Sequence, residues 1–380
     1  AARAALEKNI TRKEVQDVME NLPLGKQAGP DRIPNAVYKL LAVHFADKLT
    51  KVILEAQRLG KLPLSFLRGD IGLLHKKDAR DDERNYRPIT LLQNAYKIYT
   101  RVITRRMRDV VHQFVSEAQK GFVPRTFIAE ATMLLNLVEN YINDDVEHRE
   151  GLFIFLNMEK AFDRCSYDYM LQALTALGFG EKFCRSVKLM YDEKNPPQRR
   201  IYANGYYSPW FPIQSGVAQG CPLSPLLFLI VAEGLRVSLD LSEVKGIKIG
   251  NKHFLLSQFA DDTTLLLGRL SEITPALRAV KNWGLATGMR ENMKKREGLA
   301  MGRLRRNIHR KAEAKGIKWV TEGGFANSLG VPIGNDFDAE QWWLKKLDAL
   351  RDKTRRWGGL YRASYFGRNL VVQAMYYGSL

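Results

Sequence analysis

The chain has few of the features of secreted, membrane-spanning or zinc-dependent proteins. It contains only three cysteines, Cys165, Cys184 and Cys221, and their spacing matches no metal site. We therefore expect free thiols in a reducing, intracellular compartment. No secretion signal is visible, and the longest apolar candidate, residues 226–232, is far too short to cross a bilayer, so no membrane partner is expected. Internal repeats and low-complexity linkers are also missing.

Acidic residues are scarce relative to basic ones. Lysine and arginine number 59 against 41 aspartates and glutamates, which gives a formal net charge of +18. Such an excess indicates a polyanionic partner, most simply nucleic acid. Segments 101–108, 294–311 and 345–356 concentrate this charge. We expect them to contact phosphates, so that binding weakens steeply as salt is added.

The apolar pattern indicates an α+β architecture. A chain of 380 residues is too long for one ordinary core, so we expect two or three lobes. It starts with Ala1, not Met, and we interpret it as a fragment of a longer protein. Periodicity predicts helices over 12–21, 35–58, 96–114, 167–177, 224–236 and 338–357, and strands over 71–77, 152–157 and around 198–207. Short strands mixed with long helices are typical of α+β folds.

Residues 254–267 form an apolar run that two adjacent acids, Asp261 and Asp262, interrupt. The Phe, Leu and Thr residues on both sides predict two short strands joined by a tight turn. Paired carboxylates repel each other unless solvent or a cation balances them, and a divalent metal with oxygen ligands would do so. Aspartate is also simply common in turns, and the acid pair taken alone favours that interpretation.

Three other segments change the balance. Residues 155–164 predict a strand that leads into a helix, with Asn157 near the end of the strand. Residues 214–225 combine glycines, which let a backbone approach a ligand closely, with prolines that shape the turn before a buried helix. Residues 85–89, Asn-Tyr-Arg-Pro-Ile, follow directly after the basic loop 76–80.

In this order the segments strongly resemble the reverse transcriptases of non-long-terminal-repeat, LINE-like retrotransposons. The resemblance runs from about residue 26 to the C-terminus. Its further motifs are the Gly-Pro-Asp signature at 29–31, the block 119–124, the segment 288–295 and a primer grip at 329–334. It implies a right-hand polymerase fold with a helical extension (1–25), fingers (26–150), a palm with an antiparallel sheet (151–335) and the start of a truncated thumb (336–380). The reverse transcriptase domain as a whole would cover about 70–335.

The resemblance also implies an activity and its metal site. Such enzymes are RNA-directed DNA polymerases, which transfer a nucleotide from a dNTP to the 3′-hydroxyl of a DNA primer on an RNA template. They use two Mg²⁺ ions, and Mn²⁺ is the alternative. By position, Asp261 is implied as a metal ligand with Asp262 at or near the metals, and Asn157 occupies the place of the family's third carboxylate.

The other implied roles concern the nucleotide. Lys77 and Arg87 would hold the triphosphate, and Lys295 would protonate or steady the pyrophosphate. The residues that would face the nucleotide are Ala161, Gln219 and Gly220. Phe162 occupies the position where the family places a bulky ring beneath the sugar, which would exclude a ribose 2′-hydroxyl. The alternative for Phe162 is an ordinary core aromatic.

Asn157 is the departure with the largest expected consequence. The family has Asp there, whereas Asn offers one neutral oxygen to a metal that prefers charged oxygen ligands. Glu159, two residues on, could replace it only if the strand extends that far. Arg32 stands where the family signature has Gly, and Arg125-Thr126 replaces its usual Gly-Arg. We therefore expect an impaired copy, or a decayed element that keeps the fold.

Three rival hypotheses remain. An RNA-dependent RNA polymerase would carry a Gly before the acid pair and a polar group that accepts ribose in place of Phe162. Group II intron or retron reverse transcriptases resemble this chain more closely, but the residues at 29–31 and 214–225 match LINE elements better. The third is a catalytically dead relic that only binds nucleic acid. For a LINE-like element, the family implies a location in the nucleus, where the element integrates.

Overall fold

The computed structural model describes residues 2–76, 79–310 and 316–358. The chain divides into two compact units, Ala1–Trp319 and Val320–Leu380, each of which is described by itself. Within the described ranges, every helix is too short or too polar to span a bilayer. Lys77, predicted to hold the triphosphate, lies outside the described residues.

Helices account for much of the described chain. They are α1 (Ala2–Leu6), α2 (Arg12–Glu20), α3 (Asn35–Leu40), α4 (Ala42–Leu59), α5 (Leu64–Leu67), α6 (Asn94–Arg108), α7 (Ile128–Asn143), α8 (Ala161–Arg164), α9 (Tyr167–Ala176), α10 (Glu181–Lys188), α11 (Ser224–Asp240), α12 (Ile273–Thr287) and α13 (Ala339–Gly358). Each predicted helix has a counterpart, with two corrections. The stretch 35–58 is two helices, because the backbone at Leu41 turns out of helical geometry (φ −103°, ψ 21°). The helix predicted to reach residue 114 ends at Arg108.

Strands interleave with these helices along the chain. They are β1 (Arg68–His75), β2 (Tyr86–Leu92), β3 (Glu150–Leu156), β4 (Gln198–Ala203), β5 (Tyr206–Tyr207), β6 (Phe211–Pro212), β7 (Ile247–Ile249), β8 (Lys252–Phe254), β9 (Leu256–Phe259), β10 (Asp262–Leu267), β11 (Glu297–Gly302), β12 (Lys318–Trp319), β13 (Ala326–Ser328) and β14 (Val331–Ile333). The mixture confirms the predicted α+β class.

The sheet that carries the acid pair has the strand order β12-β11-β3-β10-β9, and we call it the central sheet. Strand β3 lies in its middle and runs antiparallel to both β10 and β11. All of β3 except its first residue is buried. This burial explains why β3 reads as a continuous apolar run in the sequence and not as an alternating one.

A second sheet, which we call the mixed sheet, has the order β2-β1-β4-β5, with β6 also paired to β4. Strands β1 and β2 form an antiparallel hairpin, whereas β1 and β4 run parallel. Residues 198–212 therefore belong to the same sheet as residues 68–92, although the predicted boundary at 150 separates the two segments. Such a parallel pairing requires a long crossover connection, which a local sequence pattern does not reveal.

Helix α11 lies in the core, as its nearly all-apolar sequence predicts. Among its residues, Leu227, Leu229 and Val231 are completely buried. On α12, the indole nitrogen of Trp283 donates a hydrogen bond of 3.0 Å to the Val231 carbonyl. Since a buried indole N–H needs a partner, this bond fixes how α12 packs on α11.

The unit Val320–Leu380 contains a hairpin of β13 and β14 followed by α13. The predicted primer grip, 329–334, covers the turn and second strand of this hairpin. Leu329 and Gly330 form the turn with φ angles of 53° and 86°, the left-handed values that tight hairpins require. On α13, the large apolar residues Trp343, Leu344 and Leu347 are each about half exposed.

Candidate active site

The acid pair lies where β9 turns into β10, as predicted, with Asp261 in the turn and Asp262 as the first residue of β10. Asp262 pairs with Phe259 across this hairpin, so Ala260 and Asp261 alone form the turn. Ala260 has a φ of 56°, a left-handed value that is costly for a residue with a side chain. The turn therefore needs support from the surrounding structure.

That support comes from Gln119, a buried residue to which the sequence analysis assigned no role. Its Oε1 accepts hydrogen bonds from the backbone N–H groups of Ala260 (2.9 Å) and Gly121 (2.8 Å). Its Nε2 donates to the Ala260 carbonyl at 3.3 Å. Gly121 packs so closely that a Cβ there would lie 2.2 Å from the Ala260 nitrogen. The block 119–124 thus holds the acid turn. Its Gln-x-Gly spacing recurs at 27–29 and 214–216, so the spacing alone does not mark this role.

Strand pairing brings Asn157 to the acid turn. Leu156, the last residue of β3, pairs with Thr263 of β10 in antiparallel register. Extending this register by one residue places Asn157 across from Asp262, next to Asp261. The residues predicted to form the metal site are therefore neighbours at one end of the central sheet, despite their separation in sequence.

The electrostatics of the turn suit a cation. Asp262 is exposed, yet the protein around the turn removes part of its hydration, and this is the main reason that its pKa is raised. The negative charge of Asp261 raises the pKa of Asp262 further, while the charge of Lys76 lowers it. Lys76, in the basic loop 76–80, is thus a cation whose charge acts on Asp262.

Glu159 is engaged elsewhere. Its carboxylate forms an ion pair with Arg164 at 3.5 Å, and the same guanidinium donates to its carbonyl at 3.1 Å. Its backbone N–H donates to the Arg290 carbonyl at 2.8 Å, and the Asn157 carbonyl accepts from Asn292 at 2.8 Å. This backbone ladder holds the end of β3 in place. The Glu159 side chain is paired with Arg164.

The oxygen ligands near the turn are therefore two carboxylates and an amide. Within residues 2–76, 79–310 and 316–358, no three or more His, Cys, Asp and Glu side chains are grouped to hold a metal. The mutual repulsion of Asp261 and Asp262 and the oxygen character of all three side chains fit a divalent cation such as Mg²⁺. With Asn157 in the set, however, the site supplies one negative charge fewer than three carboxylates would.

The loop 214–225 forms hydrogen bonds with both the mixed sheet and α8. The backbone N–H of Thr90, on β2, donates to the Gln219 carbonyl at 2.7 Å. The Gln219 side chain donates from Nε2 to Oδ1 of Asp163 at 3.2 Å. Two glycines permit these approaches: a Cβ on Gly220 (φ 128°) would lie 2.4 Å from the Thr90 carbonyl oxygen, and one on Gly216 (φ 89°) 2.6 Å from that of Asp163.

Asp163 is only half exposed in this arrangement. Its burial raises the pKa of its carboxyl group, and the amide of Gln219 opposes that rise by donating to the ionised form. The hydrogen bond therefore fixes the side chains of Asp163 and Gln219 relative to each other. This contact links the loop to the segment that starts at Asn157.

Phe162 lies in an aromatic stack. Its ring is 4.7 Å from that of Phe228 on α11 and nearly parallel to it (9°), and the ring of Phe122 meets it edge-on at 6.2 Å. Phe162 itself is half-buried, and the neighbouring Ala161 is buried. Core packing on one side and partial exposure on the other are both present, so the ring can support the fold and still reach a ligand.

The remaining predicted residues are on exposed surfaces. Arg87 is exposed on β2, where it pairs in register with Leu74 of β1. Lys295 is exposed in a single 3₁₀ turn that follows the Arg290–Asn292 contacts. Next to it, Arg296 and Glu291 form a buried bidentate ion pair (2.6 and 2.7 Å), which ties together the residues on either side of this turn.

Comparison with known proteins identifies the family. The family described as "Reverse transcriptase (RNA-dependent DNA polymerase)" matches residues 74–325, which is more than half of the chain. The chain therefore belongs to the reverse transcriptase family, and the right-hand polymerase fold predicted for it is the fold of that family.

Three relatives have names that support the LINE-like resemblance. A 149 kDa uncharacterized protein of transposon TX1 from Xenopus laevis is 27% identical over 97% of this chain and 28% of its own length. The RNA-directed DNA polymerase from mobile element jockey of Drosophila melanogaster is 27% identical over 75% of this chain and 31% of its own length. The Pol polyprotein from type-1 retrotransposable element R2 of Popillia japonica is 28% identical over 66% of this chain and 36% of its own length. The chain thus spans about a third of these relatives.

Among solved structures, apo telomerase from Candida tropicalis, truncated from its C-terminal domain, is similar with a TM-score of 0.43 and 13% identity. The similarity covers 72% of this chain and 58% of that one.

Proposed function

We propose that this chain is the polymerase part of a LINE-like RNA-directed DNA polymerase whose catalysis is impaired by Asn157. The substrates would be an RNA template, a DNA primer and a dNTP. The reaction joins the primer 3′-hydroxyl oxygen to the α-phosphorus of the dNTP and releases pyrophosphate. The proposal rests on the position of Asn157 beside the acid pair, in a chain of the reverse transcriptase family.

Asp261, Asp262 and Asn157 would hold the metal. When bound, divalent cations activate the primer hydroxyl and stabilise the charge on the leaving pyrophosphate. Desolvation by the surrounding protein is the main reason that the pKa of Asp262 is raised, and the charge of Asp261 raises this pKa further; a bound cation would offset that second contribution, which supports this assignment. Asn157 would contribute only a neutral oxygen. Glu159 is a poor substitute since it is paired with Arg164.

The nucleotide would be oriented by the loop and the aromatic stack. Gln219 and Gly220 would face it from a loop held between Thr90 and Asp163. Phe162, fixed by Phe228, would lie under the sugar with Ala161 beside it and exclude a 2′-hydroxyl.

Cations would bind the phosphates. Lys77 and Arg87 would hold the triphosphate, and Lys295 would steady the pyrophosphate. By family, the protein would act inside the cell, in the nucleus where such elements integrate.

Primer extension with Mg²⁺ or Mn²⁺ tests the proposal. The unmodified chain should bind template–primer yet extend it poorly, and Asn157→Asp should increase extension by about 10²–10³-fold or more, because it restores a charged ligand with little change in volume. Asp261→Asn in the Asn157→Asp background should abolish the gain.

Asn251→Asp is the matched control, since it adds the same charge at an exposed position outside the basic segments and should leave extension unchanged. Robust extension by the unmodified chain would contradict the impairment. An Asn157→Asp protein that folds and binds template–primer but stays inactive would instead favour the second candidate, a relic that only binds nucleic acid. The neutral side chain of Asn157 beside the acid pair is the observation that favours that candidate.

A further inference from the structure

One face of the mixed sheet carries an exposed aromatic row that the proposed active site does not use. Ile89, Gly72, Tyr202 and Tyr207 are successive register partners across β2, β1, β4 and β5. Residues paired in register project to the same face of a sheet. We call this row and its neighbours on that face the platform. Tyr202 and Tyr207 are 46% and 44% exposed, so both rings are accessible to a ligand.

The rings of the platform are held in place by a cation. Tyr202 and Tyr207 are in contact, with ring centroids 4.8 Å apart and planes tilted by 41°. The guanidinium of Arg200 lies 3.9 Å from the centre of the Tyr207 ring. Arg200 is itself fixed by Asp70, its register partner on β1, through a 2.7 Å ion pair. The tyrosines are therefore preorganised, so binding a ligand would cost little side-chain entropy.

A groove runs beside these rings. It is a cavity of about 630 Å³, a size typical of ligand sites. Tyr202 and Tyr86 contribute aromatic walls, and Ile89 and Leu91 contribute apolar ones. Its floor is Gly72, where a Cβ would find only the Ile89 carbonyl oxygen, at 3.9 Å. The missing side chain at Gly72 is thus what keeps the groove open.

The chemistry of the platform suits unpaired bases. Flat apolar walls and exposed rings stack with any base, and sheet faces with exposed aromatics are a recurrent means of binding single-stranded RNA. The rim of the groove carries Arg80 and Asn204, but also Asp81 and Glu83, so it offers little net positive charge to phosphates. Electrostatic attraction to the nucleic acid would come from the net charge of the whole chain, +18, and from Arg87 on the same face of the sheet.

The platform is also continuous with the proposed active site. Strand β2 supplies Ile89 and Leu91 to the groove, while the backbone N–H of Thr90, between them, bonds to the loop residue Gln219. A strand leaving the templating position could pass directly from that loop onto the sheet.

We propose that the platform binds the unpaired RNA template ahead of the base being copied, by stacking bases on Tyr202 and Tyr207 and in the groove over Gly72. This inference rests on the polymerase function proposed above. It assigns template contacts to β4 and β5, and predicts that these contacts tolerate any base sequence.

The test is binding of the full chain to two fluorescent template–primers with the same duplex. One carries a single-stranded 5′ extension of the RNA template and the other is blunt. Tyr202→Ala with Tyr207→Ala should weaken binding of the extended substrate by about five- to a hundred-fold, which is the range for loss of one stacked base. Binding of the blunt substrate should not change.

Matched variants separate stacking from folding. Tyr206→Ala removes a tyrosine of the same hairpin that is 80% exposed and pairs with Ala203 in the neighbouring register row, so it should have no effect. Tyr202→Phe keeps the ring and should bind like the unmodified chain. Gly72→Ala places a Cβ where its only near neighbour is the Ile89 carbonyl oxygen at 3.9 Å, so this variant should narrow the groove and weaken binding of the extended substrate.

Salt dependence gives an independent readout. Since the platform contributes stacking and little charge, the tyrosine variants should weaken binding by the same factor at low and high salt. Unchanged affinity of Tyr202→Ala/Tyr207→Ala for the extended substrate, or an equal loss on the blunt one, would overturn the inference. If the unmodified chain bound neither substrate, both this inference and the proposed function would fail. Binding of the blunt substrate with no preference for the extension would overturn this inference alone.

Discussion

Asn157 directly follows Leu156, which pairs with Thr263 at the end of the antiparallel strands β3 and β10, so continuing this register by one residue sets Asn157 across from Asp262. Two separate sets of hydrogen bonds fix the two strand ends. Asn292 binds the Asn157 carbonyl, and Gln119 binds the turn that precedes Asp262. The backbone of Asn157 is therefore held beside the acid turn, and the proposed function gives its side chain the place of the family's third carboxylate. This is why a single substitution, Asn157→Asp, tests the proposed site without repacking.

The first prediction concerns nucleotide choice at Phe162. In the Asn157→Asp background, Phe162→Ala should raise the kcat/KM for ribonucleotides relative to deoxyribonucleotides by about ten- to a hundred-fold. The variant should also lose stability, because Phe162 stacks on Phe228. Phe162→Tyr keeps the ring and serves as the control. Unchanged discrimination in Phe162→Ala would assign Phe162 to the core alone.

The second prediction concerns the support of the acid turn. Gln119→Leu leaves the buried N–H groups of Ala260 and Gly121 without their acceptor, which should lower the free energy of unfolding by about 2–4 kcal/mol. In the Asn157→Asp background it should also reduce extension. Gln172→Leu, at an exposed position on α9, is the control for a Gln-to-Leu change. Urea unfolding measures the first effect; equal stability of both variants would show that Gln119 does not hold the turn.

The third prediction follows from two arginines in left-handed backbone conformations. Arg32 (φ 59°) and Arg125 (φ 67°) stand where the family resemblance expects glycine, and both are exposed. A left-handed conformation costs a residue with a side chain about 1–2 kcal/mol, so replacing arginine by glycine removes this cost. Part of the gain in stability is lost because glycine has more conformational freedom in the unfolded chain. Arg32→Gly and Arg125→Gly should each stabilise the fold by about 0.5–1 kcal/mol.

The reverse change provides the control for those substitutions. Gly25 has a φ of 69° with open space around its Cα, so Gly25→Arg should destabilise the protein by a similar amount. Thermal or urea unfolding of the three variants measures all of the effects. Destabilisation by both glycine variants would mean that the arginine side chains make contacts that outweigh the backbone cost.

The fourth prediction concerns pH and Asp163. Because burial raises the pKa of this carboxyl in the folded state, the folded protein binds its proton more tightly than the unfolded chain. Stability should therefore fall as pH rises from the ordinary aspartate pKa through the raised folded value, and the full penalty remains above it. Asp163→Asn keeps an oxygen acceptor for Gln219 and removes this penalty.

Unfolding free energies measured from about pH 3 to about pH 8 provide the test. The difference between Asp163→Asn and the unmodified chain should grow in favour of the variant as pH rises, then level off. Asp109→Asn, an exposed change at the end of α6, corrects for the loss of one charge. A difference that is independent of pH would show that Asp163 has the same pKa in the folded and unfolded states.

The local sequence determined the elements that carry the site. The apolar run around Asp261 and Asp262 encodes two strands and a two-residue turn, because strand periodicity and turn formation depend on neighbouring residues. The burial of α11 and the capping box of α2 were predictable for the same reason: Thr11 and Glu14 bond each other's backbone within one turn. The positions of Arg32 and Arg125 were marked by comparison with a motif, while their left-handed φ angles explain why that motif has glycine.

The tertiary structure decided which distant residues meet. The register of β3 on β10 places Asn157 beside Asp262, and a shift of one residue would have moved it to the other face of the sheet. The hydrogen bonds between Ala260 and Gln119 depend on the packing of two segments that lie 141 residues apart in the chain. The row through Gly72 and Tyr202 exists only because β4 runs parallel to β1. Such pairings follow from the balance of burial and hydrogen bonding over the whole fold, which no window of sequence contains.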